Sequence, residues 1–165
     1  MWTILKFDKK NINLLKKDFI SKLGDNFKFY LPKIQIQKKI CKKIKNYDVN
    51  LLGNYIFCYH EKFEDEKFVE SLKYTRGLKY FIRGHKSSQD EIYSFIEKCK
   101  KFENEDGYLS SKFFDLVINK KYKFISGPFA DLVFSLVNFE KTRFDILIGN
   151  IKTTLKSKNI SFKPI

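Results

Sequence analysis

Apolar positions change period along this chain, and the change divides it. Trp2 to Phe7 is a short apolar run that predicts a strand. Asn11 or Asn13 can cap a following helix, in which Ile12, Leu15, Phe19 and Leu23 share one face and Gly24 is a stop. Phe27 to Leu31 predicts a second strand, ended by Pro32. In Lys33–Asn50 the even spacing of Ile34, Ile36, Ile40 and Ile44 suggests an extended hairpin with one apolar face. Tyr55 to Tyr59 is a dense aromatic strand. Glu64 to Tyr74 predicts a short helix, with Phe68, Val69 and Leu72 inward, and Leu78 to Ile82 another strand. Ser88-Gln89-Asp90-Glu91 fits a capping box, and Ile92, Phe95, Ile96 and Cys99 continue as one helical face.

Glu103 to Gly107 is the best linker segment: short, acidic and ending in Gly. Beyond it the period becomes that of strands. Tyr122, Phe124, Leu132, Phe134, Leu136, Phe144, Ile146 and Ile148 alternate with their neighbours. The expected fold class is therefore α+β in two parts: a mixed region over 1–103, a linker over 104–118 and a small all-β region over 119–165.

The charge count sharpens this picture. With 33 basic and 19 acidic residues, the 165-residue chain carries a formal +14. A surplus of that size favours a polyanion or an acidic protein face as partner. The abundance of Lys, Asn, Ile and Phe also fits a compositional bias, which dilutes the inference. Lys33, Lys38, Lys39, Lys42, Lys43 and Lys45 concentrate charge in the hairpin, either as a solvated loop or as a nucleic-acid contact. The 18 Phe, 9 Tyr and 1 Trp supply core volume and material for an exposed apolar face.

Three cysteines, Cys41, Cys58 and Cys99, without a C-x-x-C pair suggest reduced thiols in a cytoplasm. No apolar stretch has the length of a membrane span, and no signal-peptide core is present at the N-terminus. His60 and His85 stand outside any metal-spaced or triad-like motif, and a surface role is the default for both. Glu61, Glu64, Asp65 and Glu66 suit a solvated helix start. No phosphate-binding Gly loop occurs. The chain is not expected to be an enzyme, nor to need a metal or cofactor.

Four motifs, in order, resemble those of the NusG family of transcription elongation factors. Leu51-Leu52-Gly53-Asn54-Tyr55-Ile56-Phe57 stands where the family has L-F-P-[GN]-Y-[LV]-F, with Gly53 in place of Pro. Thr75-Arg76-Gly77-Leu78 is similar to T-[PR]-G-V, and Phe81 follows it. Lys120 to Ala130 looks like the start of a KOW domain, and Gly127-Pro128-Phe129-Ala130-Asp131 like its signature loop. Val133 and Phe134 lie where the KOW motif usually has a Gly, and Ile148-Gly149-Asn150 replaces an aromatic-Gly-Arg. Asn54, Arg76 and the end Lys158-Asn159-Ile160-Ser161-Phe162 resemble the specialised paralogue RfaH more than general NusG proteins.

The resemblance implies an N-terminal αβ sandwich with an antiparallel sheet, joined to a small C-terminal KOW β-barrel that in RfaH also exists as an α-helical hairpin. It implies a monomeric cytoplasmic factor that suppresses pausing or termination. Tyr55 and Phe57, with Leu52 and Phe7, would form an apolar patch for the clamp helices of RNA polymerase's largest subunit. Lys9, Lys10, Thr75 and Arg76 would meet the non-template DNA strand. Asp8 and Asp18 replace DNA-reading side chains of RfaH, so its sequence preference does not transfer. Ser71 alone remains of a polar run that touches the far side of the polymerase cleft. Leu132 and Ile148 match apolar positions through which the KOW domain binds Rho or a ribosomal protein. The alternative is a KOW-containing structural RNA-binding protein that uses the Lys33–Lys45 segment.

Overall fold

The structure is a computed structural model. It describes all residues except 25, 41–42, 141–142 and 157–160, and the backbone alone of 39, 40 and 111. Cys41, Lys42 and the tail motif at 158–160 therefore lie outside the described residues. The chain divides into two compact units, 1–32 with 50–101 and 33–49 with 102–165.

In the first unit four antiparallel strands form one sheet in the order β2-β5-β1-β6. They are β1 (Trp2–Phe7), β2 (Lys28–Tyr30), β5 (Tyr55–Tyr59) and β6 (Leu78–Phe81). Strand alternation sends Leu5 and Phe7 to one face of β1, Trp2 and Ile4 to the other. Leu5, Phe7, Ile56 and Cys58 pack with Leu15, Phe19 and Leu23 of helix α1 (Ile12–Leu23). Phe68, Val69 and Leu72, from α2 (Glu66–Ser71) and its end, join that core. Phe57, Trp2 and Ile4 pack instead with Ile92 and Ile96 of α3 (Gln89–Phe102). Helices thus cover both sheet faces; the periodicities predict the strands and helices, and the resemblance implies the sandwich.

Local chemistry ends these elements where it should. Gly24 takes φ 78° after α1, and its N–H returns to Ile20 O at 2.8 Å. Asp65 caps α2 by accepting from Lys67 N at 2.9 Å. Asn11 does not cap α1. Asp8 instead caps a 3-10 turn over Lys9–Asn11 that leads into it. Gln89, expected inside a capping box, uses its amide to receive Trp2 N at 2.9 Å and to donate to Trp2 O at 2.8 Å. His60 is buried rather than on the surface, and its Nδ1 accepts from Lys62 N at 3.2 Å. Cys58 and Cys99 are buried, and burial pushes the Cys58 thiol well up from its ordinary value.

The second unit holds five antiparallel strands in the order β10-β9-β8-β7-β11. These are β7 (Lys121–Phe124), β8 (Val133–Glu140), β9 (Arg143–Ile148), β10 (Ile151–Lys156) and β11 (Phe162–Pro164). Tyr122, Phe124, Phe134, Leu136, Phe144, Ile146 and Phe162 form its core. The ladder shifts register between Leu136 and Asn138, so alternation breaks there and Phe139 is left exposed. The expected barrel is present only as this sheet. β10 and β11 are its two edges, and no ladder joins them among the described residues. The described state of 119–165 is strands, not a helical hairpin.

The hairpin of β3 (Lys33–Ile40) and β4 (Lys43–Asn50) belongs to the second unit up to Val49. Leu109 N donates to Lys33 O at 2.7 Å and Gln37 N to Ile125 O at 2.6 Å. The Tyr108 hydroxyl donates to Asp48 at 2.9 Å. The presumed linker is accordingly ordered in part: Leu109 and Phe113 are buried, and Glu103 bridges Leu109. No described helix is long and apolar enough to cross a membrane.

Candidate functional site

The α3 face of the first sheet carries the aromatic motif. Register places Ile4 opposite Phe57 and Lys6 opposite Tyr55 across β1 and β5. Lys6 also faces Tyr80 across β1 and β6. α3 covers Phe57 through Ile92 and Ile96, leaving that ring 3% exposed. Ile4, Leu52 and Phe95 are half-buried around it. The face then becomes polar. The hydroxyls of Tyr55 and Tyr80 lie 3.2 Å apart, and the Lys6 ammonium sits 5.4 and 5.5 Å from the two ring centres.

This triad has its own electrostatics. The hydrogen bond from Tyr55, then the one donated by Lys6, lowers the Tyr80 phenol from its ordinary value. Tyr80, then Tyr55, raises the Lys6 ammonium. The outcome is a half-exposed aromatic face with a cation at its edge, suited to an apolar partner with acidic flanks. Phe7 is not part of it. That ring is fully buried on the opposite sheet face, because positions 4 and 7 of one strand point opposite ways. Tyr80 and Lys6 escape sequence reasoning because only the β1–β5 and β1–β6 pairings together bring them to Tyr55.

The Thr75–Leu78 loop forms a second cluster. Gly77 has φ 80°, and a Cβ there would lie 2.6 Å from Asn11 O. The close approach docks the loop on the 3-10 turn, where Asp8 N donates to Gly77 O at 2.8 Å. Thr75 is buried, and its Oγ1 accepts from Lys22 Nζ at 3.1 Å, so it offers no surface to a ligand. Arg76 is exposed but committed. Its Nε and Nη2 donate to Asp18 of α1 at 2.9 and 2.6 Å. That bond holds the Asp18 carboxyl below its usual range and raises the Arg76 guanidinium. Lys9 and Lys10 stand exposed in the adjoining turn. Ser71 is exposed, with its hydroxyl donating to Phe68 O at 2.6 Å.

In the second unit the Gly127–Asp131 loop turns back between β7 and β8. Gly127 at φ 80° and Asp131 at φ 74° make the reversal, with Ala130 N donating to Gly127 O at 3.1 Å. Lys123 pairs with Asp131 at 2.9 Å, which lowers the Asp131 carboxyl. Gly127 N donates to Gln37 Oε1 of the hairpin at 3.1 Å. Leu132 is 45% exposed just beyond the loop, with Val133 beside it at 44%. Ile148 is half-buried against the core, so the two expected contact residues differ in what they present.

No family model and no curated protein matches the chain. Solved structures do align with it. The MjSpt4:Spt5 complex in conformation B matches 100% of this chain and 98% of the other, at 13% identity and TM-score 0.34. Thermotoga maritima NusG, in a structure of its domain interaction, matches 99% of this chain and 96% of the other, at 12% identity and TM-score 0.32.

Proposed function

We propose that this chain is a transcription elongation factor of the NusG/Spt5 class, with an antiterminating action like that of RfaH, and not an enzyme. The observation that carries the reading is the half-exposed face of Leu52, Tyr55 and Tyr80 beside Lys6, built around Tyr55 of the Leu51–Phe57 motif. An apolar face with a cationic edge suits a helical protrusion with acidic flanks, such as the polymerase clamp helices. Tyr55 is the anchor in this reading. Phe57 lies under α3 and supports it from behind. Binding there shifts the polymerase away from open, paused states.

Lys9 and Lys10 would hold phosphates of the non-template strand, and Arg76 would exchange Asp18 for a phosphate when DNA is present. Leu132 and Val133 would form the apolar contact of the second unit with Rho or a ribosomal protein. The experiment is a pull-down of purified polymerase on an assembled elongation complex, with and without the non-template strand. Tyr55→Ala with Tyr80→Ala should abolish retention while circular dichroism stays native. Unchanged retention would remove the docking claim.

A second reading, an RNA-binding protein, rests on β4. Its Lys43, Ile44, Lys45 and Tyr47 are all exposed, and the Lys38 ammonium lies 5.9 Å from the Tyr47 ring centre. Tight binding to isolated RNA without polymerase would favour it.

A further inference from the structure

A cleft of about 710 Å³ opens in the first unit between α2 and the chain from β6 to the start of α3. It is separate from the aromatic face and from the Thr75–Leu78 loop, apart from Tyr80 at its margin. Pockets of about 300–1,000 Å³ are the size that encloses small molecules. The floor is apolar, from Phe63, Val69 and Phe81. The walls carry four cations, Lys73, Lys79, Arg83 and Lys86, against the two carboxylates Glu66 and Glu70.

The charges are not evenly spent. Lys86 pairs with Glu66 at 2.9 Å, and Lys73 pairs with Glu70. Lys79 and Arg83 are exposed and have no ion-pair partner among the described residues. The charge outside ion pairs therefore sits on β6 and the turn after it, at Lys79, which also acts on the Asp8 carboxylate, and at Arg83, facing a helix whose carboxylates are already paired. His85 lines the same cleft. Its Nδ1 is 3.1 Å from Ile82 O, an acceptor, so Nδ1 carries the proton. Its Nε2 is buried with no partner. A polar nitrogen left that way is costly, and a hydroxyl or N–H of a ligand, donating to this acceptor, is the group this wall lacks.

We propose that this cleft binds a phosphorylated small molecule of nucleotide size. A guanidinium and an ammonium on one wall match phosphate oxygens, the first as a fork and the second as a point charge. The apolar floor takes the uncharged body of the ligand. The carboxylates of Glu66 and Glu70 on the opposite wall disfavour a continuous polyanion, which would have to run past them. A compact anion held against the β6 wall does not. This site goes beyond the elongation-factor reading and does not depend on it.

The test is calorimetric titration of the full chain with adenosine triphosphate, and separately with tripolyphosphate. An oligodeoxythymidylate is the nucleic-acid arm. Lys79→Gln with Arg83→Gln removes the free cations at exposed positions. Lys152→Gln with Lys156→Gln, exposed on β10, removes equal charge elsewhere. The expected result is saturable triphosphate binding that weakens roughly tenfold or more in the first variant and is unchanged in the second. Amide shifts at Gly84 and Lys86 on titrating the unaltered protein provide a measurement that needs no variant. No saturable binding, equal weakening by both variants, or shifts that avoid Gly84 and Lys86 would overturn the proposal. So would an oligonucleotide that depends on Lys79 and Arg83 while the triphosphate does not bind. Polymerase retention is read in a different assay, so failure of one reading leaves the other in place.

Discussion

Arg76 and Asp18 meet through two hydrogen bonds of 2.9 and 2.6 Å, tying the loop after α2 to the middle of α1. The guanidinium that the Thr-Arg-Gly motif would offer to DNA is held by a carboxylate of the same chain. The Arg76 side chain is 64% exposed and that of Asp18 16%, so a phosphate could reach the guanidinium from the solvent side.

Asp18→Asn should therefore strengthen binding of single-stranded DNA, by roughly threefold to tenfold at low salt, as one phosphate contact is freed and one repulsion removed. Fluorescence anisotropy of a labelled strand measures this, and the gain should shrink as salt rises. The melting temperature should change little. The pH sign follows from the direction of the shift. A depressed carboxyl stabilises the fold above its ordinary range and loses that contribution as pH falls through the folded value. A variant that binds DNA no better would show that Arg76 does not contact it.

Tyr80 should titrate below the ordinary tyrosine value of about 10. Tyrosinate absorbance, read in the protein and in Tyr80→Phe, isolates that group. Tyr55→Phe removes the larger of the two hydrogen bonds and should return the titration upward. Ionisation of Tyr80 favours the folded state, so its contribution is present above the unfolded tyrosine value and disappears as pH falls through the folded one. Lys6 acts in the opposite sense. Its raised value contributes below the ordinary lysine range and is lost as pH rises through the folded value. Unchanged titration in Tyr55→Phe would mean the two hydroxyls are not bonded in solution.

Phe57→Ala should destabilise the chain by about 3–5 kcal/mol, because the buried ring fills the space between the sheet and α3. Tyr55→Ala, at the half-exposed end of the same strand face, should cost much less. Urea unfolding distinguishes them. Similar losses would mean that α3 does not cover Phe57 in solution.

These residues show which parts of the molecule are legible locally. The alternation of Tyr122 and Phe124, and of Phe134 and Leu136, predicts both strands and the faces they bury. Gly24 and the face of Leu15, Phe19 and Leu23 predict α1 and its end. Patterns fail where a partner is distant in the chain. Phe7 and Phe57 both look like docking aromatics, but sheet pairing and two helices bury them on opposite faces. Thr75 looks like a DNA contact, yet Lys22 claims its hydroxyl. Lys6, Tyr55 and Tyr80 come together only through strand register, and none of their spacings announces it.

The hairpin at 33–49 has a consequence for dissecting the protein. The backbone passes between the two units at 32/33, 49/50 and 101/102, so three covalent connections join them. A single cut in the acidic segment 103–107 would not liberate an autonomous C-terminal module. A fragment beginning at 102 would lack the strand that receives Gly127 N and donates to Ile125 O. A fragment ending at 101 would retain a lysine-rich hairpin stripped of its support. Expression of the β-rich half is better designed as a fusion of 33–49 to 102–165 than as a simple truncation.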